Sequence, residues 1–366
     1  MFKNINCKNL PSLRRNIVYQ FLYELLIVFI PLFTIPYVSR VLGAENIGLF
    51  SYTYAVANYF VLFANLGIKN YGSRTIAMVR NNKEELNRNF SEILSIHIIF
   101  SIIVIFVYLV LLFFFVEDNL VIFLIQSIYV FAAVFDINWF FFGIEKFKLT
   151  VGRNTLVKIL SVFLVLVFVK TQTDLWIYAL ILALSVFVGQ SVVWFALKQY
   201  VSWRRPSWAN MKQHIRPLFV LFLPILALSL YKYMDKIMLG SISSNVQVGF
   251  YENAEKIINV PMSLIMAFGV VLMPRIANMV TSKDKGEVFK LIDMSMEAVM
   301  LLAIAISFGL AGISFVLAPI FFGYEFEECG ILIMGLAVTV PFMAFANVIR
   351  TQYLIPYKED KIFVVS

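Results

Sequence analysis

LFVLFLPILALSLYKYMDKIMLG, residues 218–240, runs without charge from Leu218 to Tyr231 and then places Lys232, Asp235 and Lys236 close together. As a helix, a stretch of this length crosses a hydrocarbon core of ~30 Å. It reads as a membrane span whose far end carries charge. Similar apolar runs recur along the chain, of which 61% is hydrophobic and only 14% charged, against about a quarter in soluble domains. The predicted fold class is therefore an all-α polytopic membrane protein.

Spans are predicted at about 17–39, 47–67, 93–116, 120–142, 154–170, 174–196, 217–241, 254–278, 294–318 and 329–350, with an eleventh starting near Ile362. The first run is too long for a signal-peptide core and lacks a small-residue cleavage site, so it reads as a retained span. Its prolines, Pro31 and Pro36, predict kinks. Cys7 and Cys329 supply neither a disulfide framework nor metal-ligand spacing.

Lysine and arginine distribute unevenly. Of the 30, 25 fall in the amino-terminal tail and in the loops after the even-numbered spans, or in the helix ends beside those loops. The others are Arg40, Lys170, Lys232, Lys236 and Lys256, while the loops at 117–119 and 319–328 hold only acids. By the positive-inside rule the amino terminus is cytoplasmic. The net charge of +8 then reports topology and contact with an anionic leaflet; no basic module for nucleic acid is present.

RVLGAENIGLFSY at 40–52 pairs with KIMLGSISSNVQVGFYENA at 236–254. Each ends an odd-numbered span in Leu-Gly, crosses a short loop and opens the next span with Gly and aromatic residues. The two copies lie six spans apart. An even separation predicts two pseudo-symmetric helical lobes of parallel orientation: 1–199, then a cytoplasmic linker at 200–216, then 217–366. If the second lobe also needs six spans it is incomplete here, and a truncated chain is expected.

Catalytic chemistry is not predicted. GAENIG at 43–48 has the outer glycines of a phosphate loop, but Leu49 and Phe50 stand where Lys and Ser/Thr are required. His97 and His214 are isolated along the chain, with no nucleophile and base set, no metal site and no cofactor motif. His97 reads as a packed or interfacial residue. Short outer loops leave little room for the catalytic acids of a membrane-embedded glycosyltransferase or polymerase.

Polar groups inside the spans are the candidate site. Counting from Pro217, Lys232 lies about 22 Å and Lys236 about 28 Å from the inner surface, and the two share a helix face. Snorkelling to the outer headgroups is one reading; lining a hydrated cavity between the lobes is the other, since ionisable groups facing lipid are costly. Glu24 lies in span 1. Ser51, Asn58 and Asn65 recur every seven residues in span 2, Asp136 sits toward the inner end of span 4, and Arg74, Arg275 and Arg350 cluster at inner ends.

PLFTIPYVSRVLGAENIGLFSY, NLGIKNYGSRTIAMVRNNKEEL, DINWFFFGIEKFKL, LFLPILALSLYKYMDKIMLGSISSNVQVGFYENAEKI, GVVLMPRIANM and QYLIPYKEDK together resemble the Wzx-type flippases of the multidrug/oligosaccharidyl-lipid/polysaccharide exporter superfamily. The resemblance runs from about Asn16 to Ser366. It implies export of an undecaprenyl-pyrophosphate-linked oligosaccharide across the bacterial inner membrane, for O-antigen or capsule, by alternating access coupled to H+ or Na+. A polysaccharide polymerase and a chain-length regulator are the implied partners. On that reading Lys232, Lys236, Arg40 and Arg275 attract the pyrophosphate, Asn58 and Asn65 meet sugar hydroxyls, and Glu24, Asp136 and Asp235 couple to the ion. Drug/cation antiport and flipping of the peptidoglycan precursor are the alternatives within the superfamily.

Overall fold

The computed structural model describes residues 10–281 and 285–357, and all its regular elements there are helical. In order they are α1 (Leu10–Asn65), α2 (Ile68–Val79), α3 (Lys83–Phe115), α4 (Leu120–Val134), α5 (Asn138–Gly143), α6 (Phe147–Phe168), α7 (Leu175–Leu197), α8 (Trp208–Ile242), α9 (Asn245–Thr281), α10 (Lys285–Phe322), α11 (Cys329–Ala337) and α12 (Thr339–Val348). Eight stretches among the described residues are long and apolar enough to cross a membrane. One of these, Leu32–Val79, holds the junction of the first two predicted spans. The predicted eighth span falls on α9.

α1 is 56 residues long, about 84 Å if straight, so it cannot be a single span. The break falls at Gly43, whose φ of 78° and ψ of 171° leave the helical region. Only glycine takes that conformation without a Cβ penalty. Neither predicted proline supplies the break. Helix resumes at once, and its first free amide, Ala44 N–H, donates to Glu325 Oε1 at 2.8 Å. A carboxylate there also meets the positive end of the new helix dipole.

Two compact units emerge from the contacts. Among the described residues, one joins 10–34 with Leu49–Ser244; the other joins Ile35–Gly48 with those from Asn245 onward. The first unit thus takes in α8, the span that follows the linker. The second takes in the last turns before and just after the break in α1. These units follow packing rather than chain order.

The repeat is visible as equivalent contacts. In the second unit, a Cβ on Gly48 would overlap the Asn245 carbonyl, and a Cβ on Gly249 would overlap the Ala44 carbonyl, so the two backbones touch. Asn253 Nδ2 donates to Ser39 Oγ at 2.9 Å in the same unit. In the first unit, Gly240 lies against the ring of Tyr52. One constant separation along the chain relates Ser39 to Gly240, Ala44 to Asn245, Gly48 to Gly249 and Tyr52 to Asn253. The Leu-Gly pairs matched in the sequence are therefore one helical turn out of register. Structurally, Gly43 corresponds to Ser244, beside the break that ends α8 at Ser243.

One end of the first unit is a dense aromatic core. Phe90, Trp139, Phe140 and Phe141 are all but fully buried, together with Leu218 and Phe222 of α8. The ring of Trp139 packs where a Cβ on Gly72 would stand. The predicted linker joins this core through Val201 and Met211. It is an integral part of the unit.

The glycine contact predicts that Gly48→Val and Gly249→Val each destabilise the protein by about 3 kcal/mol through backbone overpacking. Gly309, mid-helix in open space, is the control: Gly309→Ala should be neutral or stabilising by up to about 1 kcal/mol. Thermal unfolding of the detergent-purified protein reads both.

Candidate functional site

The charged end of α8 lies along the second half of α1. Tyr59 Oη donates to the Ser229 carbonyl at 3.3 Å, the Tyr59 and Tyr233 rings lie 5.9 Å apart, Tyr52 meets Gly240, and Phe63 meets Phe222. These contacts define an antiparallel seam. At about 100° per residue, Lys236 falls near the middle of the α8 face and is half-buried, Lys232 falls at its edge, and Asp235 falls farther round; the last two are exposed. Lys232 Nζ sits 5.4 Å from the centre of the Tyr233 ring, a distance at which the ring quadrupole attracts a cation.

On α1, Asn58 and Asn65 lie roughly a third of a turn from the face that meets α8. In an antiparallel pair, offsets of the same sign fall on the same side of the seam. The asparagine stripe therefore shares a side with Lys232 and Asp235, and Asn58 is at about the depth of Lys232. Both asparagines are half-buried and donate to the carbonyl one turn back, Asn58 to Tyr54 at 2.8 Å and Asn65 to Val61 at 2.9 Å. These bonds hold each amide against its own helix.

The other predicted cations belong to the second unit. Arg40 Nη2 donates to the Ile320 carbonyl at 2.6 Å, so the guanidinium caps the end of α10, where the helix dipole is negative. The side chains of Glu24 and Arg275 lie outside the described residues. Asp136, in the first unit, closes α4: its Oδ1 accepts from Asn138 N at 3.0 Å and from Asn138 Nδ2 at 2.7 Å. Asn138 also donates to Gln190 Oε1 at 2.9 Å and accepts from Arg153 Nη2 at 3.1 Å. A polar network therefore joins the α4–α5 junction to α6 and α7.

A second network was not legible from the chain. His214, isolated in sequence, has its Nε2 2.9 Å from Glu92 Oε2 and its Nδ1 2.6 Å from the Tyr71 hydroxyl. Asn210 Nδ2 donates to Glu92 Oε1 at 3.1 Å. Both members of the His–Glu pair are buried, at 3% and 1% exposure, so each polar atom needs the partner it has. The same face of α3 also holds the linker: Asn87 Oδ1 accepts from Ser202 N, Ser91 Oγ from Arg204 N, and Glu84 pairs with Arg204. Its signal in sequence was the spacing of Glu84, Asn87, Ser91 and Glu92, a polar stripe at helical period entering an apolar run. The partners, more than a hundred residues away, were invisible.

These features define a multi-pass helical membrane protein. The family described as "Polysaccharide biosynthesis protein" matches residues 13–280, and the chain belongs to that family. Two curated relatives, both named "Putative O-antigen transporter", are similar over nearly the whole chain. The one from Escherichia coli (strain K12) is 26% identical over 97% of this chain and 86% of its own length; the one from Shigella dysenteriae is 23% identical over 96% and 88%. Among solved structures, the lipid II flippase MurJ in an inward closed conformation aligns with a TM-score of 0.67 at 14% identity, covering 92% of this chain and 74% of that one. An inward-facing multidrug resistance MATE family transporter aligns at 0.66 and 14%, covering 94% and 86%. These two structures share the fold. With relatives named as transporters, transport rather than enzymatic turnover is the activity of this class.

Removing one member of the buried pair strands the other. Glu92→Ala is expected to destabilise the protein by about 3 kcal/mol or more, whereas Arg204→Ala, which breaks an exposed pair, should cost less than about 1 kcal/mol. Chemical denaturation of both variants in the same detergent gives the comparison.

Proposed function

We propose that this protein is a flippase that carries an oligosaccharide linked to undecaprenyl pyrophosphate from the inner to the outer leaflet of a bacterial cytoplasmic membrane. The observation that carries the reading is the seam between α8 and α1, where amines and amides collect on one side of two apolar helices. A sugar head bears many hydroxyls, each costing on the order of several kcal/mol if it enters hydrocarbon unpaired. A polar path for the head, with the lipid tail left in the bilayer, removes that barrier without breaking a covalent bond. The relatives named as O-antigen transporters support the same cargo class.

In this reading Lys236 and Lys232 attract the pyrophosphate, and Asn58 and Asn65 meet sugar hydroxyls along the adjoining stripe. Arg40 already binds a helix end, which leaves it a structural task alongside any electrostatic one. The two units alternate access to the two leaflets, and an ion gradient sets the direction. A drug/cation antiporter, the second reading, has a solved relative in fold; it would need carboxylates in excess along this seam, where the two amines Lys232 and Lys236 outnumber Asp235.

Replacing both Lys232 and Lys236 with Gln should lower export of a lipid-linked oligosaccharide in proteoliposomes by about tenfold or more, ~1.4 kcal/mol in anion stabilisation. Undiminished export removes them from the site. The cytoplasmic amino terminus has its own check. In a background without native cysteines, Asn81→Cys should react with an impermeant thiol reagent only from the cytoplasmic side, and Asp118→Cys only from the other.

A further inference from the structure

The transport reading leaves the buried pair of Glu92 and His214 unused. For the fold alone, apolar side chains of similar volume often serve as well as a buried ion pair, so a carboxylate kept in that interior asks for a use. Its two oxygens face Asn210 Nδ2 at 3.1 Å and His214 Nε2 at 2.9 Å. A carboxylate only accepts, so Nε2 carries the ring hydrogen. With the ring neutral, Nδ1 is then an acceptor, and the Tyr71 hydroxyl, 2.6 Å away, is its donor. The Thr75 hydroxyl, buried one turn along α2, also engages the Tyr71 hydroxyl.

This cluster can take up one proton without parting any of its heavy atoms. A proton from the bulk adds to the Tyr71 oxygen while the hydrogen already there passes to Nδ1. Tyr71 then accepts from the ring and turns its new hydrogen to Thr75. Beforehand the buried cluster carries a net negative charge; afterwards the carboxylate and an imidazolium cancel. A metal ion has no such entry, because both Glu92 oxygens face N–H donors that it would have to displace. His97, also buried, meets no hydrogen-bond partner at either ring nitrogen, so no chain of hydrogens leads to it. The charges around the cluster lie outside it: Arg74 on α2, Glu84 on α3, Arg204 in the linker, and Lys212 and Arg216 on α8 are all exposed. Glu84 and Arg204 pair with each other, and solvent ions screen the rest. The countercharge within the cluster is that of Glu92.

We propose that Tyr71, His214 and Glu92 form the proton-binding site of this transporter, with Tyr71 passing the proton in and Glu92 holding the countercharge. Imidazole is the side chain whose charge changes near neutral pH. Tyr71 is half-buried, so it connects the outside to a ring that is itself enclosed. The three side chains come from α2, α3 and α8, and α8 is the helix that carries Lys232 and Lys236 at its other end. A proton here therefore changes how that helix is held against its neighbours. This assignment rests on the transport reading above and adds the coupling ion and its place.

Two measurements test it on the full chain. The protein has only two histidines, so ring-nitrogen NMR of nanodisc-embedded protein, with His97→Leu for assignment, reads His214 alone. In a scan from about pH 8 to 5, the range in which imidazole ordinarily charges, Nδ1 should gain a hydrogen while Nε2 keeps its own. In Glu92→Gln that step should move to lower pH by about one unit or more, because the countercharge is gone. In proteoliposomes, a pH difference of about one unit can raise accumulation of a polyprenyl-pyrophosphate trisaccharide at most about tenfold per proton. The ratio of accumulation with and without the gradient should exceed one in wild type and in Arg204→Ala, and fall to about one in His214→Gln and Glu92→Gln. Tyr71→Phe, which keeps the packing and removes the relay, should lower it too. A His214 ring in one protonation state across the scan, a ratio intact in both variants, or stimulation by a Na+ gradient at fixed pH overturns the proposal. Where a variant carries nothing even without a gradient, the NMR step and its response to Glu92→Gln decide. A His214 that titrates under the control of Glu92 in a protein that moves no trisaccharide sustains the proton site and defeats the cargo assignment.

Discussion

The backbone contact between Gly48 and Gly249 is the constraint on which the arrangement depends. It brings the restart of α1 against the start of α9 at a distance that no side chain larger than hydrogen permits. Around it, Gly43 turns the chain, Glu325 caps the new helix end and Asn253 reaches Ser39. Small residues matter at such contacts because lipid tails are as apolar as leucine. With no hydrophobic drive between helices in the bilayer, close packing and hydrogen bonds must hold them.

Within the first unit, packing distributes the polar groups. Once α1 is broken at Gly43, its second half is free to meet α8, and the seam of Tyr52, Tyr59 and Phe63 against Gly240, Tyr233 and Phe222 sets which residues of α8 turn inward. Lys236 ends up near the seam and Asp235 away from it, although they are neighbours in the chain. Charge in these helices is placed by packing at one residue's resolution.

The aromatic end of the first unit shows the same logic with greater burial. Glu92 and His214 come from segments far apart in the chain, and each is tolerated in the interior because the other is there. The linker that carries His214 is bonded to successive turns of α3. A segment that joins the chain's halves covalently is thereby fastened to one of them.

Composition and hydropathy were sufficient to determine an all-helical membrane protein, because spanning helices must satisfy every backbone group internally and need ~20 apolar residues to do it. The Gly-aromatic repeat was legible too, and so was the helical periodicity that put Asn58 and Asn65 on one stripe. The register of the repeat was not: the Leu-Gly dipeptides that match in sequence are a turn apart in space. Nor was the His214–Glu92 pair, nor the isolation of the His97 ring, nor the commitment of Arg40 to a helix end. Periodicity says which residues of one helix share a face, since that follows from 3.6 residues per turn. Which face meets which neighbour depends on contacts between segments distant in the chain, and only the folded molecule decides them.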